Sequence, residues 1–67
     1  MTLDEVRRQA KRLSQAIFEM PASTQRTKLL GEVGALQANA DILTSTQTSF
    51  IESVAKGLAK IEHSVFG

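Results

Sequence analysis

Four basic side chains near the start of the chain form its densest concentration of charge. They are Arg7, Arg8, Lys11 and Arg12. Guanidinium and ammonium groups spaced in this way bind phosphate oxygens or the carboxylates of an acidic protein surface. The cluster is therefore a candidate contact for nucleic acid, for a small anionic ligand such as a nucleotide, or for an acidic partner. A solvated helix face explains the same pattern without any ligand.

A second candidate anion contact lies where another helix is expected to begin. Ser23 and Thr24 precede Arg26 and Lys28, and the free backbone amides of a helix N-terminus attract negative groups. These residues could together hold a phosphate group. Helix capping and solvation account for the same residue types when nothing is bound.

Residues suited to catalysis or to metal binding are scarce. The chain has no cysteine and one histidine, His63, which lies near the expected end of a helix and can interact with the negative end of the helix dipole. The sequence has no HExxH, GxSxG or phosphate-loop pattern. Gly31-Glu-Val-Gly34 matches the GxxG of a nucleic-acid-binding loop but lies inside an apolar helical repeat, where helix packing explains it better. We therefore expect a non-enzymatic protein without metal or cofactor.

Large hydrophobic side chains provide the remaining candidate contacts. The chain has three aromatic residues, all phenylalanine, and such side chains commonly anchor protein interfaces. Phe18 falls beside the apolar row of its helix, so it either extends the core or contacts a partner. The candidate interface set is Phe18, Phe50, Val54, Leu58, Ile61 and Phe66.

The elements that must position these residues are helices, because apolar residues recur every three or four positions. Thr2 and Glu5 form a capping box, in which the Thr2 hydroxyl accepts the Glu5 amide proton and the Glu5 carboxylate reaches back to the Thr2 amide. A first helix is predicted over about residues 3–20, and Pro21 ends it. Its apolar row is Leu3, Val6, Ala10, Leu13, Ile17 and Met20.

A turn over residues 21–24 leads into a second helix over about residues 24–44, capped by Ser23 or Thr24. Helices joined by so short a turn are expected to pack as an antiparallel hairpin. Gly31 and Gly34 each cost about 1 kcal/mol relative to alanine inside a helix, and they make one side small enough for another helix to approach. The apolar row is Leu29, Val33, Leu36, Ala40 and Leu43.

Residues 44–49 decide between two architectures. Ser49 and Glu52 form a second capping box, which favours a new helix over about residues 50–66 and a bundle of three helices. The segment has no glycine or proline, however, and a heptad phase runs through it, so we favour one long helix, continuous or kinked, whose second half packs on another protomer. The residues in phase are Leu43, Gln47, Phe50 and Val54.

Composition indicates one globular all-α domain spanning residues 1–67, with 42% hydrophobic and 22% charged residues. For so short a chain, the free energy gained by apolar burial only about balances the cost of ordering the chain, and the sequence lacks the cysteines of a disulfide or zinc staple. We therefore expect an oligomeric bundle or a complex with another protein. No apolar run approaches the roughly 18 residues of a membrane span, so we expect a cytoplasmic protein. The expected core is Leu3, Val6, Leu13, Ile17, Leu29, Val33, Leu36, Leu43, Phe50, Val54, Leu58, Ile61 and Val65.

The net charge is +1 and is unevenly distributed, because residues 1–28 carry +3 and residues 29–67 carry −2. These features favour a small helical interaction module, an adaptor, regulator or inhibitor that acts by protein binding and self-association. One alternative is a helical oligomer that sequesters an anion or nucleotide, similar in size to regulators carried by phages and mobile elements. Another is a nucleic-acid-binding regulator that uses the basic face of the first helix.

Overall fold

The computed structural model describes residues 2–67, which form three helices and no strand. Helix α1 is Leu3–Phe18, α2 is Thr24–Ile42 and α3 is Thr48–Phe66. Each helix packs against both others, in a body of 38 × 21 × 15 Å. The predicted all-α class is confirmed. None of these helices combines the length with the apolar character that crossing a bilayer requires.

Thr2 caps α1 as predicted, because the Glu5 amide donates to Thr2 Oγ1 at 3.2 Å. The return contact differs from the expected one: the Thr2 hydroxyl itself donates to the Glu5 carboxylate at 3.1 Å. Helix α1 ends at Phe18, two residues before the predicted end. Pro21 explains the early end, since a proline disfavours helical geometry in the residue before it.

Ser23 is the residue that caps α2. Its side chain accepts a hydrogen bond from the Arg26 amide at 3.1 Å, and its carbonyl accepts one from the Thr27 hydroxyl at 3.2 Å. One of the two predicted caps is therefore confirmed. The first of these bonds satisfies an amide that the first turn of a helix leaves free.

The favoured continuous second helix is wrong, because α2 ends at Ile42 and α3 begins at Thr48. Leu43 is extended, with φ −80° and ψ 150°. The Thr44 amide donates to the Gln47 side-chain oxygen at 2.8 Å, and the Gln47 amide donates to the Thr44 carbonyl at 3.1 Å. Polar side chains thus stabilise a reversal for which we expected glycine or proline. Their hydrogen bonds compete with the backbone hydrogen bonds of a helix, as is common for threonine.

The start of α3 also differs from the expected one. Ser49 lies inside α3 instead of capping it, and the N-cap residue Gln47 makes no side-chain capping bond. The side-chain oxygen of Gln47 is already used by the turn. The predicted capping box of Ser49 and Glu52 therefore does not begin the helix.

The buried core follows the predicted rows of all three helices except at the start of α3. Ile51 is buried in the first turn of α3, whereas Phe50 is 61% exposed, which corrects its assignment to the core. Both residues lie three or four positions before the buried Val54, so helical spacing alone does not choose between them. Three further predicted core residues, Leu36, Leu43 and Val65, are only partly buried. The buried set is Leu3, Val6, Ala10, Leu13, Ile17, Leu29, Val33, Ala40, Ile51, Val54, Leu58 and Ile61.

Glycine plays two different parts in this packing. A Cβ atom at Gly57 would lie 3.0 Å from a Leu36 methyl carbon, so this glycine lets α3 approach α2 closely. Gly31 and Gly34 have nothing within 4 Å of the same position. No helix among residues 2–67 therefore uses the close approach that these two glycines allow.

Candidate functional site

An apolar groove of about 450 Å³ runs between α2 and α3 beside the turn that joins them. Its position follows from the turn, which places the last residue of α2 opposite the first turn of α3. The groove is lined by Leu36, Asn39, Ile42, Leu43, Gln47, Phe50, Ser53 and Val54.

The floor of the groove consists of buried and half-buried side chains, and its mouth of exposed ones. Val54 is buried, while Leu36 and Leu43 are partly buried against the core. Ile42 and Phe50 are 79% and 61% exposed. A floor held by the core and two free apolar side chains at the mouth give a surface that can both receive and insert a side chain.

No ionisable side chain lines the groove, although 22% of the residues in the chain are charged. Its polar groups are the amides of Asn39 and Gln47 and the hydroxyl of Ser53. The Gln47 oxygen accepts a hydrogen bond from the Thr44 amide. The chemistry that this lining supports is the burial of apolar surface, together with a small number of neutral hydrogen bonds.

The predicted basic cluster is split between two sides of α1. Arg7 turns toward α2 and donates to the Ala40 carbonyl at 3.3 Å. Arg8 and Arg12 lie one turn apart in a shallow depression that they share with the carboxylates of Glu5 and Glu62. This surface is therefore of mixed charge.

Lys11 completes the predicted cluster and is exposed on α1. It lies one turn from Arg7, on the side of α1 that turns toward α2. The structure thus leaves Lys11, Arg8 and Arg12 at the surface, and it ties the Arg7 guanidinium to the backbone of α2.

The two basic residues at the start of α2 have different surroundings. The Arg26 guanidinium donates to the Phe18 carbonyl at 3.1 Å and lies 5.0 Å from the centre of the Phe18 ring. Arg26 is half-buried, and its Nε is buried without a hydrogen-bond partner. Lys28 is exposed. Arg26 therefore bridges the end of α1 and the start of α2, and only Lys28 extends freely from this turn.

The six predicted interface residues fall into two groups. Phe18, Phe50 and Phe66 are all exposed, at 68%, 61% and 66%. Val54, Leu58 and Ile61 are buried in the core of their own chain, where Val54 also reaches the floor of the groove. Among the three phenylalanines, only Phe50 lines the groove; Phe66 lies against α1 beside Leu13, on the other side of α3.

Sequence reasoning missed Ile42, the most exposed large hydrophobic side chain among residues 2–67. Ile42 lies beside the apolar row of α2, so its spacing suggests a side chain that widens the buried stripe. A signal was present in the composition of α2, whose outward side carries small and apolar residues such as Gly31, Gly34 and Ala38 where a solvated helix normally carries charges.

Metal-ligating groups do not converge in the part of the chain that the structure describes. Within residues 2–67, no three of the His, Asp and Glu side chains lie close enough together to hold an ion.

Comparisons of this chain with models of known protein families, with curated proteins and with solved structures find no match.

Proposed function

We propose that this chain is a non-enzymatic helical interaction module that binds another polypeptide in the groove between α2 and α3. The observation that carries the proposal is the exposure of Ile42 and Phe50 side by side at the mouth of an uncharged apolar groove. Burying a large apolar side chain stabilises by about 1.5–3 kcal/mol. A partner that covers both residues and the floor beneath them gains that free energy.

The total surface of the molecule supports the same proposal. The chain exposes 4618 Å², whereas a compact monomer of its 7.3 kDa mass exposes about 4,200 Å². The excess is about a tenth of the surface. Three helices of this length therefore cover one another less completely than a self-sufficient small domain does.

The shape of the groove favours a polypeptide as the partner. A groove between two helices accommodates the apolar face of a third helix, with side chains inserting at intervals of three or four residues. The neutral amides of Asn39 and Gln47 can bond to polar groups at the edge of such a segment. An adaptor, regulator or inhibitor acts through contacts of this kind.

Site-specific photocrosslinking tests the proposal. A benzophenone amino acid replaces Ser53 in the groove or, as a control, Lys56 on the exposed side of the same helix. Irradiation of the purified chain, and of cells that produce it, should yield a covalent adduct with a polypeptide from position 53 and little or none from position 56.

Two results would contradict the proposal. The first is the absence of any polypeptide adduct from position 53 in both samples. The second is an equal yield of adducts from Ser53 and Lys56, because diffusive encounters label both sites and a docked partner labels only the groove.

A further inference from the structure

We infer that the polypeptide in the groove is a second copy of this chain, bound in a two-fold symmetric dimer in which each copy inserts its Phe50 into the groove of the other. This inference rests on the proposed function and adds the identity of the partner. It follows from the shape, the charge and the size of the surface around the groove.

The surface is self-complementary in shape. In a two-fold interface the same patch lies on both sides, so the patch must contain both a protrusion and a depression. Phe50 and Ile42 protrude, and the space above Leu36, Leu43 and Val54 is the depression. The Phe18 and Phe66 surfaces differ from it in charge: the Arg26 guanidinium lies over the Phe18 ring, and Phe66 lies beside the charged Arg12 and Glu62.

The surface is also compatible with itself in charge. A group close to a two-fold axis lies near its own copy, so an ionisable group there faces a like charge in a partly desolvated contact. The eight groove residues include no ionisable side chain. The surface around Arg8 and Arg12, by contrast, includes four ionisable side chains that a contact between copies would partly desolvate.

The available area is sufficient for a stable dimer. A face that is two helices wide and as long as the 19-residue α3 measures about 28 by 20 Å, or roughly 600 Å² per copy, and its end remote from the groove carries the exposed Lys60. Two such faces bury at most about 1,200 Å², the lower end of the range for specific interfaces. The affinity of such a dimer depends on a small number of central side chains and not on area alone.

The outward side of α2 borders the groove and adds small uncharged residues, which alternate with the exposed charged residues Lys28, Glu32 and Asp41. Gly31 and Gly34 are exposed and have open space beside them, and Ala38 is exposed on the next turn. These residues are small enough for the backbone of a neighbouring copy to come close. They enlarge the contact, whereas its centre lies at Phe50.

Sedimentation equilibrium on three proteins tests the inference: the wild-type chain, Phe50→Ser and Phe66→Ser. Phe66 is the matched control, because it lies on the same helix, is 66% exposed and lies outside the groove. We expect a wild-type dimer, a dissociation constant raised at least about 30-fold in Phe50→Ser, as for an interface hot spot, and a change of less than about threefold in Phe66→Ser. Circular dichroism verifies that each variant folds.

Isotope-filtered NMR on the wild-type chain provides a second measurement that needs no substitution. A sample that mixes labelled and unlabelled copies should show contacts between the Phe50 ring of one copy and the Leu36 or Val54 methyl groups of the other. Contacts of Phe66 or Phe18 in their place would overturn the inferred interface even if the chain is dimeric.

The failure of this inference is distinguishable from the failure of the proposed function. A monomer at all concentrations that forms a Ser53 crosslink to a different protein overturns the dimer and retains the groove as a binding site. A monomer without any Ser53 adduct removes both. A dimer weakened equally by Phe50→Ser and Phe66→Ser also overturns the inference.

Discussion

The two turns of this chain each have an exposed phenylalanine beside them, yet they leave very different surfaces. At the α1–α2 turn, the Arg26 guanidinium covers one side of the Phe18 ring and bonds to the Phe18 carbonyl. At the α2–α3 turn, no such group covers Phe50, which stands next to the exposed Ile42 above an apolar groove. We call the α1–α2 turn the closed turn, because Arg26 contacts its phenylalanine, and the α2–α3 turn the open turn, because its phenylalanine has no such contact.

This difference shows that exposure alone does not identify a binding surface. Phe18 and Phe50 have similar exposed fractions, 68% and 61%. What distinguishes them is the neighbourhood: a cation and a backbone carbonyl around one, and further apolar side chains around the other. A partner gains more by covering Phe50, because the neighbouring apolar surface loses its contact with water at the same time.

The largest effect on stability is expected at the closed turn. Arg26→Ala removes a hydrogen bond from a charged donor and a cation–π contact, so the free energy of unfolding should fall by about 1–2 kcal/mol. In a domain of this size, each kcal/mol of lost stability lowers the melting temperature by about 4–8 °C. Thermal unfolding at one fixed protein concentration measures the change, with the exposed Lys28→Ala as the control. Equal melting temperatures for the two variants would show that the Arg26 contacts contribute nothing to the closed turn.

The next effect compares the helix caps at the two turns. Ser23→Ala removes the side-chain oxygen that accepts the Arg26 amide, and it should cost about 1 kcal/mol. Ser49→Ala should change stability by less than about 0.5 kcal/mol, because Ser49 lies inside α3 and does not cap it. Urea unfolding of both variants checks the contrast. A larger loss from Ser49→Ala would indicate that Ser49 begins α3, as its spacing from Glu52 had predicted.

Two glycines lie in different packing environments: Gly57 packs closely against Leu36 beneath the groove, and Gly31 lies on the outward side of α2 with open space beside it. Gly31→Ala should stabilise the fold by about 0.5–1 kcal/mol, since its backbone φ is not positive and the added methyl group meets nothing. Gly57→Ala should give no such gain, because its methyl group would lie 3.0 Å from Leu36 and displace it toward the groove. Denaturation at a concentration below dimer formation measures both. Similar gains from both substitutions would show that α2 and α3 are packed loosely at Leu36.

The smallest effect is expected within the open turn itself. Gln47→Ala removes the acceptor of the Thr44 amide in an exposed setting, and the loss should be about 0.5 kcal/mol. Hydrogen exchange at the Thr44 amide should accelerate, while exchange in the middle of α1 stays unchanged. Unaltered exchange at Thr44 would mean that the Gln47 side chain does not stabilise the reversal between α2 and α3.

Much of the helical structure was predictable because its causes are local. The Thr2 cap, the Ser23 cap and the stop before Pro21 depend on side chains within a few residues of the backbone groups that they affect. The break after Ile42 was not predictable in the same way. It depends on Thr44 and Gln47 forming hydrogen bonds with each other, and residues of these types also occur inside helices.

The groove was less predictable than the helices that form it. Phe50 was predicted both as an interface residue and as part of the core, and its 61% exposure corrects the core assignment. Its neighbour Ile51 occupies the buried position instead. Both residues lie three or four positions before Val54, so the apolar period of α3 fits either one and does not choose between them.

The order of residues alone determined that this chain is helical and which side of each helix is apolar, because a 3.6-residue period is a property of one helix. Tertiary structure decided which apolar residues are left over. Ile42 and Phe50 remain exposed because the turn sets where α3 lies relative to α2, and that placement depends on contacts between residues far apart in the chain, such as Gly57 with Leu36.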